Sequence, residues 1–335
     1  MKAIADRRLG SALLADGPRP TAPADVVRWF GAVQAQDFGP AKWSLGQRPQ
    51  WAGLAIRPVV PDGNDNTTMR LGDDKSVRLP SAEKYSAQVD KEHRWLPTLA
   101  AQVPLAIPQP LAKGVPGCGF PRPWSVYRWL PGEHVTGDGI TDPIELARDL
   151  SRFLTALYQI DPTGGPEPGP HNFSRGGDLQ AFDRRCRGAI ADLSDIIDAP
   201  CATEAWEAAL ANTRAAPSVW FHGDMNSTNL LVRDGRLSAV IDFGCMGVGD
   251  PACDLVIAWT LFSQESREVL RHAMALDEGM WARARGWMLW QALIQIASAR
   301  RAGASDTELV RLQFGWRENP VRVLEDVLDD HLQHS

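Results

Sequence analysis

Three oxygen-bearing side chains fall close together in one stretch of the chain. His222-Gly223-Asp224 is followed by Asn229, and Asp242-Phe243-Gly244 comes after a turn at Asp234-Gly235. A carboxylate can orient a hydroxyl and accept its proton. A second carboxylate and a carboxamide are hard oxygen ligands suited to a divalent cation. Taken singly, Asp242 reads as a turn residue and His222-Gly223-Asp224 is a weak signal. Their joint spacing carries the weight. His222 reads as a structural histidine that braces the loop rather than as an acid or base.

Such groups need rigid supports. Short apolar strands are expected at 218–221, 229–233 and 238–241, with the aspartates in their connections. Around them the chain reads as helical over 142–159, 177–197, 203–213, 251–262, 279–302, 305–315 and 320–331. Upstream the texture changes. Ala55 to Val60, Thr67 to Leu71, Lys75 to Leu79 and Trp124 to Leu130 read as strands. Lys84 to Leu99 reads as a helix with Tyr85, Val89, His93 and Leu96 on one stripe, and another helix is expected over 24–36. Pro104 to Pro123 is rich in proline and glycine, and Pro131-Gly132 marks a break. The expected fold class is α+β, a small β-rich lobe followed by a larger, mainly helical one.

The stretch from Val219 to Val232, Val-Trp-Phe-His-Gly-Asp-Met-Asn-Ser-Thr-Asn-Leu-Leu-Val, and the stretch from Leu237 to Gly244, Leu-Ser-Ala-Val-Ile-Asp-Phe-Gly, carry a resemblance. They resemble the catalytic loop and metal-binding segment of the aminoglycoside phosphotransferase family, a branch of the protein-kinase-like fold. The order Asp, Asn, Asp-Phe-Gly also fits the general kinase pattern. The resemblance covers about residues 50–335. It implies a bilobal protein-kinase-like fold and transfer of a phosphoryl group from ATP, with Mg²⁺, to a hydroxyl. It implies Asp224 as the catalytic residue and Asn229 and Asp242 as metal ligands. The stretch Gly247 to Leu255 matches the family too, and Asp250 and Asp254 within it are read as supports of the catalytic loop.

The nucleotide side follows from the same resemblance. In the family a strand-borne Lys contacts the α/β-phosphates and pairs with a Glu on the following helix. The matching strand, Ser76 to Pro80, carries Arg78 instead. An arginine still forks onto phosphate oxygens, with a different geometry. Its expected partner is Glu92, with Glu83 a second candidate. The phosphate-covering loop is expected over Asp62 to Thr68, with Gly63, Asn64, Asn66 and Thr67 as nucleotide contacts. It has one glycine where protein kinases have three. Trp124 to Gly132 resembles the interlobe hinge, where the adenine ring would bond backbone groups near Arg128 and Leu130.

The segment Pro20 to Gln36 resembles the beginning of winged-helix DNA-binding proteins related to bacterial alkylation-repair DNA glycosylases. The tandem winged helices that should follow do not, so Gln34 and Gln36 are not carried over as catalytic. Residues 1–48 are therefore read as a helical appendage, 49–130 as a nucleotide-binding lobe, and 131–335 as a catalytic and substrate-binding lobe. A DNA-binding or repair role through the N-terminal segment is the reading from a different class.

Composition narrows the choice. At 335 residues, about two domains are expected. The net charge of -6 opposes a general nucleic-acid binder, which would show a basic excess. Residues 131–260 carry nineteen acidic side chains against nine basic ones. That excess favours a cationic small-molecule substrate, an aminoglycoside or another cationic amino-alcohol. Macrolides, choline and amino sugars are the alternatives. A protein kinase would carry Arg before the catalytic Asp and an Ala-Pro-Glu segment after Asp-Phe-Gly. Here Gly223 precedes Asp224 and no such segment follows. No apolar run approaches the roughly 20 residues that span a bilayer. Met1 to Leu14 lacks the apolar centre of a secretory signal. The five cysteines have no CxxC spacing and read as reduced thiols, so the expected location is the cytoplasm.

Overall fold

The computed structural model describes residues 51, 53–59, 65–117, 120–135, 142–214, 216–309 and 319–334. The appendage 1–48 with its winged-helix likeness and the helix at 24–36 lie outside the described residues. So do Gly63, Asn64, Cys118 and the end of the helix expected at 305–315. The described residues divide into two units, one made of 51–101 and 106–131, the other of 102–105 and 132 onward.

In the first unit, alternation of apolar and polar residues builds an antiparallel sheet. Its order is β1 (Ile56–Pro58), β2 (Asn66–Leu71), β3 (Lys75–Pro80), β5 (Trp124–Arg128), β4 (Pro110–Gly114). Met69, Leu71, Val77, Leu79 and Val126 pack into a core on one face, joined by Trp51, Leu54 and Ile56. Thr68 pairs with Arg78 and Arg70 with Ser76, so these four share the opposite face. Helix α1 (Ser86–Ala100) follows a 3-10 turn and buries Val89, Leu96 and Leu99. Strand β4 falls inside the Pro/Gly-rich tract, where no strand is expected. It lies at the end of the strand order, where Pro110 is tolerated for want of an N–H, and its register shifts between Pro110 and Ala112. Strand β2 begins at Asn66, so Asn66 and Thr67 lie opposite Pro80 and Leu79 in the sheet, not in a covering loop.

The second unit is mainly helical. Its helices are α2 (Pro143–Gln159), α3 (Asp183–Asp192), α4 (Ala199–Ala211), α5 (Ile257–Thr260), α6 (Gln264–Ala273), α7 (Glu278–Arg301), α8 (Asp306–Leu309) and α9 (Pro320–Gln333). Strands β6 (Glu133–His134), β8 (Leu230–Arg233) and β9 (Arg236–Val240) form one small sheet. Strands β7 (Val219–Phe221) and β10 (Gly247–Gly249) form another. Asp142 starts α2 by accepting the Ile144 and Glu145 N–H groups at 3.0 Å, with Pro143 at the first helical position. Leu146, Leu150, Phe153, Leu154 and Leu157 then form its buried stripe. Helix α7 starts at an Asp277 cap and buries Trp281, Trp287, Leu289, Leu293 and Ile296 around its circumference, as a helix inside the core must.

Several elements differ from the sequence reading. The helix expected over 177–197 is a 3-10 turn at Leu179–Phe182 followed by the shorter α3. The one expected over 251–262 is 3-10 across Pro251–Val256. Helix α6 escapes periodicity because its buried face holds Ser266 and Arg267 beside Leu270, with Arg267 3.8 Å from Asp330. Strand β10 escapes it because Gly-Val-Gly has poor strand composition, and pairing to β7 holds it. Cys186, Cys201, Cys245 and Cys253 are buried free thiols. Among the described residues no helix is long and apolar enough to cross a membrane.

Candidate active site

Strand β7 feeds directly into the loop that carries Asp224. Gly223 has φ 84°, and a Cβ there would lie 2.4 Å from the Cys245 carbonyl oxygen. Only glycine lets the loop approach the Phe243–Cys245 turn this closely. Asp254 is fully buried and accepts the His222 N–H at 2.9 Å and the Gly223 N–H at 2.7 Å. Burial raises its carboxyl pKa, and these bonds to the ionised form oppose that rise. The Nδ1 atom of His222 accepts the Asp224 N–H at 3.2 Å, so the ring proton sits on Nε2, which donates to the Ile241 carbonyl at 2.9 Å. The ring stands edge-on to Phe243, 4.6 Å between centroids. His222 thereby joins the Asp224 loop to the segment that leads to Asp242. Asp250 takes a different part: it caps Ala252 and pairs with Arg283 of α7 at 2.7 Å.

The carboxylate of Asp224 is held by amides. Asn229 Nδ2 donates to its Oδ2 at 3.1 Å and to its backbone carbonyl at 2.8 Å. Asn226 Nδ2 reaches the same two atoms at 3.4 and 3.1 Å, while its own Oδ1 accepts the Thr228 N–H. Asp242 has φ 65° and ψ 65°, a left-handed conformation that is uncommon for a non-glycine residue and clusters at functional sites. The Ile241 N–H bonds the Asn229 carbonyl at 2.8 Å, which ties the Asp242 segment to the Asn229 turn. Burial raises the pKa of Asp224, Arg175 lowers it, and the negative charge of Asp242 raises it further.

Arg175 is absent from the sequence reading. It sits beyond the Pro/Gly-rich stretch before α3, and no local pattern links it to Asp224. Its guanidinium stands 5.4 Å from the Trp290 ring centroid and 5.9 Å from that of Trp287.

In the first unit Arg78 pairs with Glu92 at 3.5 Å, and both side chains are largely shielded from solvent. The Tyr127 hydroxyl donates to the other carboxylate oxygen of Glu92. Of the two acidic candidates, Glu92 is the partner found here. The Arg128 N–H already donates to the Gln109 carbonyl at 3.0 Å, and the Trp129 N–H to Asp74 at 2.8 Å. Arg128 is exposed and Leu130 half-buried. A cavity of about 390 Å³ is lined by Arg57, Arg70, Asp73 and Trp129 among others. Arg70, which shares the sheet face of Arg78, stacks over the Trp129 ring at 4.0 Å.

Comparison with known proteins adds a family to this geometry. The profile of the phosphotransferase enzyme family matches residues 57–287. The chain belongs to this phosphotransferase family. Viomycin phosphotransferase of Streptomyces vinaceus is 30% identical over 182 residues, which span 52% of this chain and 61% of that relative. Among solved structures, the GDP and kanamycin complex of APH(2")-IIia is similar in fold, with a TM-score of 0.63 at 17% identity. The similarity covers 93% of this chain and 99% of that one. Macrolide 2'-phosphotransferase MphH from Brachybacterium faecium has a TM-score of 0.53 at 25% identity, over 75% of this chain and 89% of its own. The chain is of mixed α+β class, a β-sheet unit and a helical one, like these solved structures.

Two oxygen donors near Asp224 suit Mg²⁺. Asn229 and Asp242 offer a carboxamide oxygen and a carboxylate, both hard donors. The Asn229 NH₂ group faces Asp224, so its amide oxygen is turned the other way. Among the described residues no three or more His, Cys, Asp or Glu side chains form a metal cluster. A pair of protein oxygens fits Mg²⁺, which usually keeps waters and takes phosphate oxygens for the rest of its shell.

Proposed function

We propose that the protein is an ATP-dependent phosphotransferase that phosphorylates a hydroxyl of a small molecule. The observation that carries this reading is the Asp224 carboxylate, held by the amides of Asn229 and Asn226 and raised in pKa by burial and by the charge of Asp242. Asp224 orients the acceptor hydroxyl in line with the γ-phosphorus and takes its proton. The new O–P bond forms as the bond to the β-phosphate oxygen breaks, and ADP leaves. Asn229 and Asp242 would hold Mg²⁺, which would supply charge neutralisation on the phosphate oxygens. Arg78, braced by Glu92, takes the α/β-phosphates. Gly63 and Asn64, in the connection before β2, contact the phosphates in this reading, while Asn66 and Thr67 belong to the strand. The base lies along the Arg128–Leu130 stretch after β5, on the Leu130 side because the Arg128 N–H is engaged. Residues 49–130 serve as the nucleotide-binding domain and 131–335 as the catalytic and substrate-binding one. The reaction belongs in the cytoplasm.

The acceptor in this reading is an aminoglycoside or another cationic amino-alcohol. Support comes from the named substrate of the viomycin relative, the kanamycin complex of a fold neighbour and the acidic excess of residues 131–260. A macrolide is the second reading, favoured by the 25% identity to the macrolide phosphotransferase. The test is ADP release by purified protein with ATP, Mg²⁺ and a panel of viomycin, aminoglycosides, macrolides, choline and amino sugars. Acceptor-dependent release that EDTA abolishes is expected. Bound nucleotide with no phosphorylated product across the panel would count against the reading.

A further inference from the structure

Strand β5 meets helix α1 through two side-chain hydrogen bonds. Ser125 and Tyr127 stand two residues apart, opposite Arg78 and Ser76, so all four share one sheet face. The Ser125 hydroxyl lies 3.1 Å from His93 Nε2. The Tyr127 hydroxyl donates to one carboxylate oxygen of Glu92. Alternate residues of one strand thus hold consecutive residues of one helix. The guanidinium of Arg78 stands 5.8 Å from the Tyr127 ring centroid, within cation–π range, and its Nη1 is 3.5 Å from the other Glu92 oxygen. Ser125, Tyr127 and Glu92 are all buried.

The two contacts to Glu92 do different work. A charge-assisted hydrogen bond is usually about 2.7–2.9 Å long. At 3.5 Å the ion pair supplies attraction but only a loose direction. An ammonium group would tolerate that, because a compact point charge meets a carboxylate from many sides. A guanidinium is planar, and its fork matches a partner in few orientations. With Arg78 in place of a lysine, the carboxylate opposite it needs a fixed orientation. The Tyr127 hydroxyl supplies one by direct contact. Packing alone does not call for that hydroxyl: a phenylalanine would fill the same buried position and leave no polar group to satisfy.

We propose that Tyr127 is a positioning residue of the nucleotide site, whose hydroxyl sets the Glu92 carboxylate, and through it the Arg78 guanidinium, for the α/β-phosphates. This rests on the reading of Arg78 as the group that takes those phosphates. Tyr127 acts through Glu92 and not on the nucleotide itself.

The test measures the affinity of the full chain for adenosine, Mg-ADP and Mg-ATP by calorimetry, in the parent, Tyr127→Phe and Arg78→Met. Tyr127→Phe removes the hydroxyl and keeps the ring. Its Kd for Mg-ADP and Mg-ATP is expected to rise on the order of ten-fold, the scale of one hydrogen bond to a charged group. Its Kd for adenosine should stay within about two-fold, because the phosphates are what Arg78 takes. In turnover with the best acceptor of the panel, the KM for ATP should rise while kcat stays within about three-fold. A hydroxyl that serves only the scaffold would lower the melting temperature and leave Mg-ADP and Mg-ATP affinity within about two-fold of the parent. That result overturns the proposal. So does equal weakening of adenosine and both phosphorylated ligands, because it places Tyr127 at the base. A Tyr127→Phe chain that fails to fold overturns it as well, since the hydroxyl is then a scaffold bond. Arg78→Met separates the two readings. If it binds Mg-ADP as the parent does, the reading of Arg78 has failed. If it weakens Mg-ADP and Tyr127→Phe does not, the inference alone has failed.

Discussion

The Asp224 loop and the Arg78–Glu92 pair each hold a charged side chain, and they do so in opposite ways. Asp224 stands on irregular backbone, gripped by Asn226 and Asn229 from its own loop and supported through His222 and Gly223 by Asp254. Arg78 stands on a regular strand and meets Glu92 from a regular helix, with Tyr127 closing the group. The loop draws nearly all its contacts from one contiguous stretch, so its parts depend on one another. The ion pair is carried by elements that exist without it. Substitutions in the loop should therefore be severe and coupled, and those in the pair milder and separable.

The largest effect is expected at Asp242→Ala. Mg²⁺-dependent turnover should fall to background with the fold retained, as kinetics and circular dichroism would show. Substantial Mg²⁺-dependent turnover would remove Asp242 from the metal site. Next is Asp254→Ala, which leaves the His222 and Gly223 N–H groups unpaired and buried. Each such group costs roughly 1–3 kcal/mol. Denaturant titration should show the loss of stability, and kcat should fall with it. Stability loss without a change in kcat would mean that the loop holds its shape unaided. Smaller again is Glu92→Gln, which keeps the side-chain shape near Tyr127 and removes the charge facing Arg78. The KM for ATP should rise while kcat changes only a few-fold. A collapse as deep as that at Asp242 would erase the contrast between the regions. Arg78→Lys should alter least, since the cation beside Glu92 is kept and only the fork geometry is lost.

The same contrast explains what could be read from the chain. Asp224, Asn229 and Asp242 are close in sequence, flanked by apolar strands, so spacing alone links them. Arg175, flanked by left-handed Ser174 and Gly176, lowers the pKa of Asp224, and nothing in its neighbouring sequence signals that influence. Strand β4 was hidden by its proline, β10 by its glycines, and α6 by an arginine on its buried face. The acidic excess was legible as a number but not as a surface. Asp142, Asp178 and Asp198 cap helices, and Asp149 and Asp250 are paired with Arg236 and Arg283. Those five of the nineteen carboxylates serve the fold.

The most direct measurement is kcat and ATP affinity for Asp224→Asn, with an acceptor that the wild-type protein turns over. The substitution keeps the shape and its contacts to the loop amides while removing the charge and the basicity. General-base contributions of about 10²–10⁴-fold are typical. The account predicts a folded variant that binds Mg-ATP nearly as well as the parent and loses kcat by that factor. A kcat within a few-fold of the parent would contradict it, and would leave Asp224 as a residue that merely shapes its loop.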